Sequence, residues 1–398
     1  MFTKNLYLSS QEIPFCMASQ RIDRREYLKY IGAFVAGLVI AGGGVAAYYA
    51  AMPVKEKVVK ETVTKTITKT VTVTPGAPPT AVKKFKWGTS KVGSSGYRAL
   101  IEITRILSKE MPDYDFSAYP TPGAVASMKG YAKGELDGCY GADVGFNEMY
   151  RFEKRFKDFK PQAKRMPVQT FWSYTIEVTL AIHDSKIGVY KKWADLNGKK
   201  IFTFPLGWDV HAVLVPCLDT LGVKYEHVEL DLGMVGSALE KGEIDATGVY
   251  TTSRRSPAPW IKELEMTTDI AILNPSEDEI KKLKAAGFEI VEVDPKKAYA
   301  TDVNVDKIYA RAFYYGFHVG TEISEDDVYR MLKILEKHKE DLVAYDPGFE
   351  VLARDFAGFQ ARGVAALYAL NPDVPVHPGL AKYLKEHGLW RDEWKIAG

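Results

Sequence analysis

Four loops carry the residues best suited to grip a small polar molecule. The richest is Gly88-Thr89-Ser90-Lys91-Val92-Gly93-Ser94-Ser95-Gly96-Tyr97, whose small residues let the backbone come close to a ligand. Ser94 or Ser95 suits the N-cap of the helix that follows. Free N–H groups and hydroxyls there form a cradle for an anion without any catalytic group, although such a segment also reads as a plain tight turn. Three further loops are similar: Tyr119-Pro120-Thr121-Pro122-Gly123-Ala124, Pro205-Leu206-Gly207-Trp208-Asp209, and Tyr250-Thr251-Thr252-Ser253-Arg254-Arg255. Arg254 and Arg255 offer a guanidinium that clamps a carboxylate bidentately, or they are surface charge.

Other chemistries lack their residues. The seven histidines are scattered with no i, i+4 pair and no Cys-x-x-Cys, which argues against a zinc site. Gly198-Lys199-Lys200 lacks the upstream Gly and the Ser/Thr of a phosphate-binding loop, and no Gly-x-Ser-x-Gly elbow occurs. Asp137, Asp143 and Asp245 lie near strand ends, where turn anchors or helix caps explain them, and His377 fits a turn. The reading is therefore no enzyme, no cofactor and no metal.

The elements that position these loops alternate. Phe85–Trp87, Phe116–Tyr119, Gly138–Tyr140, Val178–His183, Lys200–Phe204, Glu226–Leu230 and Ala246–Tyr250 read as strands. Helical spacing marks Tyr97–Lys109, Ala124–Lys133, Val210–Leu221 and Met234–Lys241. This alternation predicts an α/β domain with mainly parallel sheets, whose loops at strand C-termini bind ligands. From Glu325 the chain turns mostly helical.

Ahead of that domain, residues 1–52 read as a signal or membrane anchor. Asp23-Arg24-Arg25-Glu26-Tyr27-Leu28-Lys29 precedes Ile31–Met52, a run of 22 residues without a charge, long enough to cross a membrane. The arginine pair resembles a twin-arginine export signal, with Asp23 where Ser or Thr is usual; a plain signal-anchor is the alternative. Residues 53–82, with Thr-rich alternation and Pro75-Gly76-Ala77-Pro78-Pro79, read as an extended tether. Both readings place the folded domain, 83–398, outside the cytoplasm, tethered to a membrane. The net charge of +2 implies no nucleic-acid partner. Of three cysteines, Cys139 and Cys217 have no spacing that compels a pair. Asn and Gln total 11 residues, a depletion found in proteins from hot environments.

The ordered loops resemble the TAXI-family solute receptors of tripartite ATP-independent periplasmic (TRAP) transporters. Gly88 to Tyr97 matches the family's opening Gly/Thr/Ser segment in length, and Thr121-Pro122-Gly123-Ala124 resembles its second helix start. A "small residue, Gly, Glu, hydrophobic, Asp" turn occurs twice, as Lys133-Gly134-Glu135-Leu136-Asp137 and Lys241-Gly242-Glu243-Ile244-Asp245. Asp195-Leu196-Asn197-Gly198-Lys199 and Val374-Pro375-Val376-His377-Pro378-Gly379 complete the set. The resemblance implies a two-lobed, type II periplasmic-binding-protein-like fold. Lobe 1 would hold about 83–178 and 293–398, and lobe 2 about 179–292, with a ligand cleft between them. It further implies capture of a small carboxylate or amino acid such as glutamate and delivery to a membrane permease. The site carried over comprises Thr89, Ser90, Ser94, Ser95, Tyr97, Thr121, Gly123, Ala124, Gly207, Trp208, Asp209, Val210, Tyr250 and Arg254. Ser90 and Ser94 replace family glycines, Val92 replaces a hydroxyl residue, and Gly207-Trp208-Asp209-Val210 replaces a hydroxyl-bearing loop. Trp208 would supply an apolar wall, whereas Asp209 repels an acid, pairs with an amino group, or only caps a helix. An ABC-type importer uses the same lobes and stands as the alternative partner.

Overall fold

The computed structural model of the protein describes residues 82–398. The expected export signal, membrane anchor and most of the tether lie outside those residues. Among the described residues no helix is long and apolar enough to cross a membrane.

The first block is β1 (Lys83–Gly88), α1 (Ser95–Glu110), β2 (Tyr114–Tyr119), α2 (Ala124–Lys133), β3 (Cys139–Ala142) and α3 (Asp143–Arg151). The long β4 (Val168–His183) leads into β5 (Lys200–Phe202), α4 (Asp209–Thr220), β6 (Glu226–His227), α5 (Val235–Glu240), β7 (Ala246–Thr252), β8 (Ser256–Pro257), α6 (Pro259–Thr267) and β9 (Ile270–Leu273). Then come α7 (Glu277–Ala285), β10 (Ile290–Val293), α8 (Pro295–Ala298) and a second long strand, β11 (Ile308–Val319). The chain closes with α9 (Glu325–Lys337), α10 (Lys339–Tyr345), α11 (Glu350–Arg354), α12 (Phe356–Leu370) and α13 (Pro378–Glu386).

β4 and β11 hold the molecule together. They pair antiparallel from Val178–Arg311 to Val168–Val319. At one end β11 also pairs with β3; at the other, β4 pairs with β7 and β9, and β11 with β10. Each long strand therefore starts in one block and ends in the other. The result corrects the expectation of mainly parallel sheets: β1–β2, β5–β6 and β5–β7 are parallel, but the crossing strands make the large sheet mixed. β4 also starts ten residues before the sequence reading placed it, because it is buried on both faces and shows no period-2 alternation.

The repeated Gly-Glu-x-Asp turn does the same job in both blocks. Gly134 and Gly242 take left-handed φ of 81° and 69°, which glycine adopts without a Cβ penalty. Asp137 then accepts from the Lys86 N–H at 2.8 Å, and Asp245 from the Lys200 N–H at 3.0 Å. Each turn thus pins the neighbouring parallel strand. The His377 turn is structural as expected: buried His377 accepts from the Gly379 N–H at 3.1 Å, capping α13.

Candidate functional site

Three helix N-termini meet between the blocks. Ser94 is the N-cap of α1, its side chain accepting from the Tyr97 N–H at 3.1 Å. Gly123 is the N-cap of α2 and Trp208 that of α4. Between them lies a small cavity of about 10 Å³ lined by Ser90, Ser94, Ala124, Trp208, Val210 and Tyr250, with Tyr140, Ile176 and Tyr315 completing the wall. That volume is about the space of one water, so the blocks are shut tightly on each other.

The first six of those nine were read from sequence; the last three were not. Tyr315 and Ile176 lie on the crossing strands, and Tyr140 on β3. The Tyr140 and Tyr315 rings stack at 4.2 Å between centroids. Their hydroxyls are already engaged, Tyr140 with the Tyr174 hydroxyl at 2.8 Å and Tyr315 donating to Asp209 at 2.6 Å. Burial pushes both phenols well above the usual tyrosine range, helped for Tyr315 by the Asp209 charge. Burial also raises Tyr250, whose oxygen lies near the Ser95 hydroxyl and amide and the Trp260 indole. The tyrosines therefore show the cavity rings rather than free hydroxyls.

The other expected residues sit around the cavity. Thr89 and Ser95 are buried, and their hydroxyl oxygens make no aligned hydrogen bond. The Thr121 hydroxyl donates to the Thr89 carbonyl at 2.6 Å, fixing the first loop. Gly123 must lack a side chain, since a Cβ there would fall 2.7 Å from Trp208 Cδ1. Gly207, by contrast, is exposed and has open space around it. Tyr97 is half-buried outside the cavity lining, and Arg254 is exposed, its backbone N–H donating to Glu177 at 2.7 Å. The structure thus does not bring Arg254 to the cavity as a carboxylate clamp; Arg255 pairs with Glu350 instead.

Asp209 resolves among its three readings. It is fully buried in the first turn of α4. Its carboxylate lies 2.7 Å from Arg155 Nη1 and accepts from the Ala142 N–H at 3.3 Å, besides Tyr315. Arg155 in turn holds Glu148 at 2.6 Å. Burial works against the Arg155 charge, but Asp209 and Glu148 more than offset it and its pKa is raised. The partner of Asp209 is therefore a guanidinium of the same chain, not an amino group on a ligand.

Further bonds cross between blocks around the cavity. The Trp208 indole donates to the Pro122 carbonyl at 2.8 Å. Arg98 of α1 donates to Ser256 Oγ at 3.0 Å and pairs with buried Asp346 at 2.7 Å. Lys91 lies 3.8 Å from Asp231 at the surface, a contact worth little in water. Cys139 and Cys217 are both free and buried. No group of His, Cys, Asp and Glu able to hold a metal occurs among the described residues.

Several solved structures align with the chain at low identity. The periplasmic aliphatic sulphonate binding protein SsuA from Escherichia coli is 16% identical over 76% of this chain and 78% of that one, with a TM-score of 0.41. The amino acid ABC transporter substrate-binding protein AbpA from Streptococcus pneumoniae, solved with L-arginine, is 13% identical over 67% and 94%, with a TM-score of 0.41. The GluR0 ligand-binding core with L-glutamate is 10% identical over 67% and 97%, with a TM-score of 0.40. No curated protein matches the sequence. The two α/β blocks and paired crossing strands are the type II periplasmic-binding-protein-like architecture expected above. Residues 87–388 match the NMT1-like family, and the chain belongs to that family.

Proposed function

We propose that the protein is an extracytoplasmic solute receptor. It captures a small organic solute in the cleft under Trp208 and hands it to a permease in the membrane to which its N-terminus tethers it. The observation that carries this reading is the cavity itself, walled by helix N-termini and aromatic rings from both blocks and crossed by the hinge-like strands β4 and β11. Lobe 1 is taken as about 83–178 with 293–398, and lobe 2 as about 179–292. The solute attaches through a carboxylate or similar oxyanion. The first turns of α1 and α2 contain no acidic residue, so no carboxylate offsets their positive helix ends, although Ser94 already accepts from the Tyr97 N–H. Solute bridges the lobes and favours the shut form, which the permease reads. The protein binds its solute without turning it over.

The loop motifs support a TRAP-type permease. The same two-lobed fold serves ABC-type uptake, which stands as the second reading, and the departures at Ser90, Val92, Ser94 and Gly207–Val210 leave the solute's identity open. Crosslinking in native membranes, followed by identification of the partner subunit, decides between them. The receptor reading is tested by thermal unfolding against amino acids, dicarboxylates, keto acids and short fatty acids. A solute at 100 times its Kd adds about 2.7 kcal/mol. No shift from any class, together with turnover of any panel member, would replace the receptor reading by an enzymatic one.

A further inference from the structure

Resting on the receptor reading, the geometry points to a narrower solute class: a compact monocarboxylate with an uncharged apolar body, rather than an amino acid or a dicarboxylate. No charged side chain lines the cavity among the described residues. Asp209, which accepts from the hydroxyl of the lining residue Tyr315, is also held by Arg155. Arg98, which stands one turn into α1, is held by Asp346, Ser256 and the Pro257 carbonyl. An α-ammonium group would need a free carboxylate there, and a second carboxylate would need a free cation. Among the described residues no acid or cation lines the cavity, and burying an unpaired charge is strongly unfavourable.

One anionic end is provided for. α1 and α2 bring N-termini without an acidic residue to the cavity, that of α2 also without a side-chain cap, whereas α3 and α4 carry Asp143 and Asp209 in their first turns. Beside these ends, the buried Thr89 hydroxyl, just outside the lining, lacks a hydrogen-bond partner, and Ser90 and Ser94 line the cavity. Opposite stand the stacked rings of Tyr140 and Tyr315, with Ile176, Val210 and Trp208. Those rings have their hydroxyls turned to Tyr174 and Asp209, so this wall offers apolar contact only. The closed volume near 10 Å³ means that even a five-carbon solute parts the lobes, which limits its size.

The test is calorimetric titration of the full-length protein with four matched probes. Isovalerate carries one carboxylate and a branched tail, L-leucine adds an ammonium, glutarate adds a second carboxylate, and isovaleramide removes the charge. Isovalerate is expected to bind at least about 100-fold more tightly than L-leucine or glutarate, because a buried unpaired charge is at stake. Isovaleramide is expected to be weaker as well. Ile176→Ala, with its melting midpoint checked against the parent, is expected to shift preference toward 4-methylpentanoate by about tenfold, one methylene in an apolar pocket. Equal or tighter binding of L-leucine or glutarate overturns the class while leaving the receptor standing. Binding of another panel solute with none by these four also overturns the class alone. Silence from every solute overturns both.

Discussion

Gly123→Ala isolates lobe closure from folding. Gly123 has φ 170°, extended backbone that alanine adopts freely, so the fold itself tolerates the methyl. In the shut form the new Cβ would stand 2.7 Å from Trp208 Cδ1, 3.0 Å from Nε1 and 3.3 Å from the Gly207 carbonyl. Carbon atoms are at ease at about 3.5–4.0 Å, so the overlap is close to 1 Å. All three atoms belong to the opposite loop, and the Trp208–Pro122 bond of 2.8 Å prevents the indole from simply turning away. Overpacking of this kind costs about 1–3 kcal/mol, and here only the shut form bears it. Solute affinity should therefore fall roughly 5- to 150-fold, with the unliganded melting midpoint little changed. Spin labels at Val92 and Leu206, both exposed on opposite sides of the cleft, would report longer distances in the variant. Unchanged affinity and unchanged distances in a folded variant would refute the claim that Gly123 and Trp208 meet in the binding-competent form.

Three further outcomes follow from buried charge. Arg155→Met strands Asp209 in the interior and should lower stability by about 3–5 kcal/mol in denaturant titrations; Arg155→Met with Asp209→Leu should recover much of it, and a loss in the double variant as large as in the single would break the pairing argument. Glu177, held by Thr175, Thr251 and the Arg254 N–H, has its pKa pushed up to about 7, mainly by burial. Raised above its unfolded value, it contributes stability below about pH 4.5 that is lost as pH rises through 7. Glu177→Gln should thus gain on the parent across that window, by up to about 3 kcal/mol, and level off above it; the comparison cancels buried His318, whose pKa is pushed down to about 3 by burial and which acts in the opposite direction. Tyr315→Phe keeps the ring against Tyr140 but removes the donor to Asp209, so stability should drop by about 1–3 kcal/mol while preference among uncharged tails is retained, as competition titrations would show.

The loops were legible because their chemistry is local. Glycine, serine and a following helix are read within ten residues, and Ser90, Ser94, Ala124, Trp208, Val210 and Tyr250 do line the cavity. What was not legible depends on pairing over long separations. Ile176 faces Phe313 across β4 and β11, and Tyr315 opens the half of β11, Tyr315–Val319, that is buried throughout and shows no alternation. Arg155 could not be matched to Asp209 from sequence. It lies on a short turn entered through left-handed Phe152 and Lys154, where no periodic pattern assigns a direction to a side chain. Arg254 lies outside the cavity lining for a related reason: Ser253 and Arg254 both take left-handed φ, and Glu177 holds the turn through the Arg254 backbone N–H.

The pairing of β4 also sets a timetable for synthesis. This strand is 16 residues long and almost wholly buried, yet its partner β11 begins only at Ile308. At about 5–20 residues per second, a ribosome would need roughly 6–25 s to make the intervening chain. For that interval the β11-facing edge of β4 is unpaired, and its Val168–Thr175 half also lacks β7 and β9 on the other side, leaving the kind of surface that joins neighbouring chains. Holdase protection of the nascent chain between these two strands, rather than any property of the finished cleft, should therefore govern how much soluble protein a cell can make. Slowing translation between Thr252 and Ile308 should lower that yield more than slowing it after Val319.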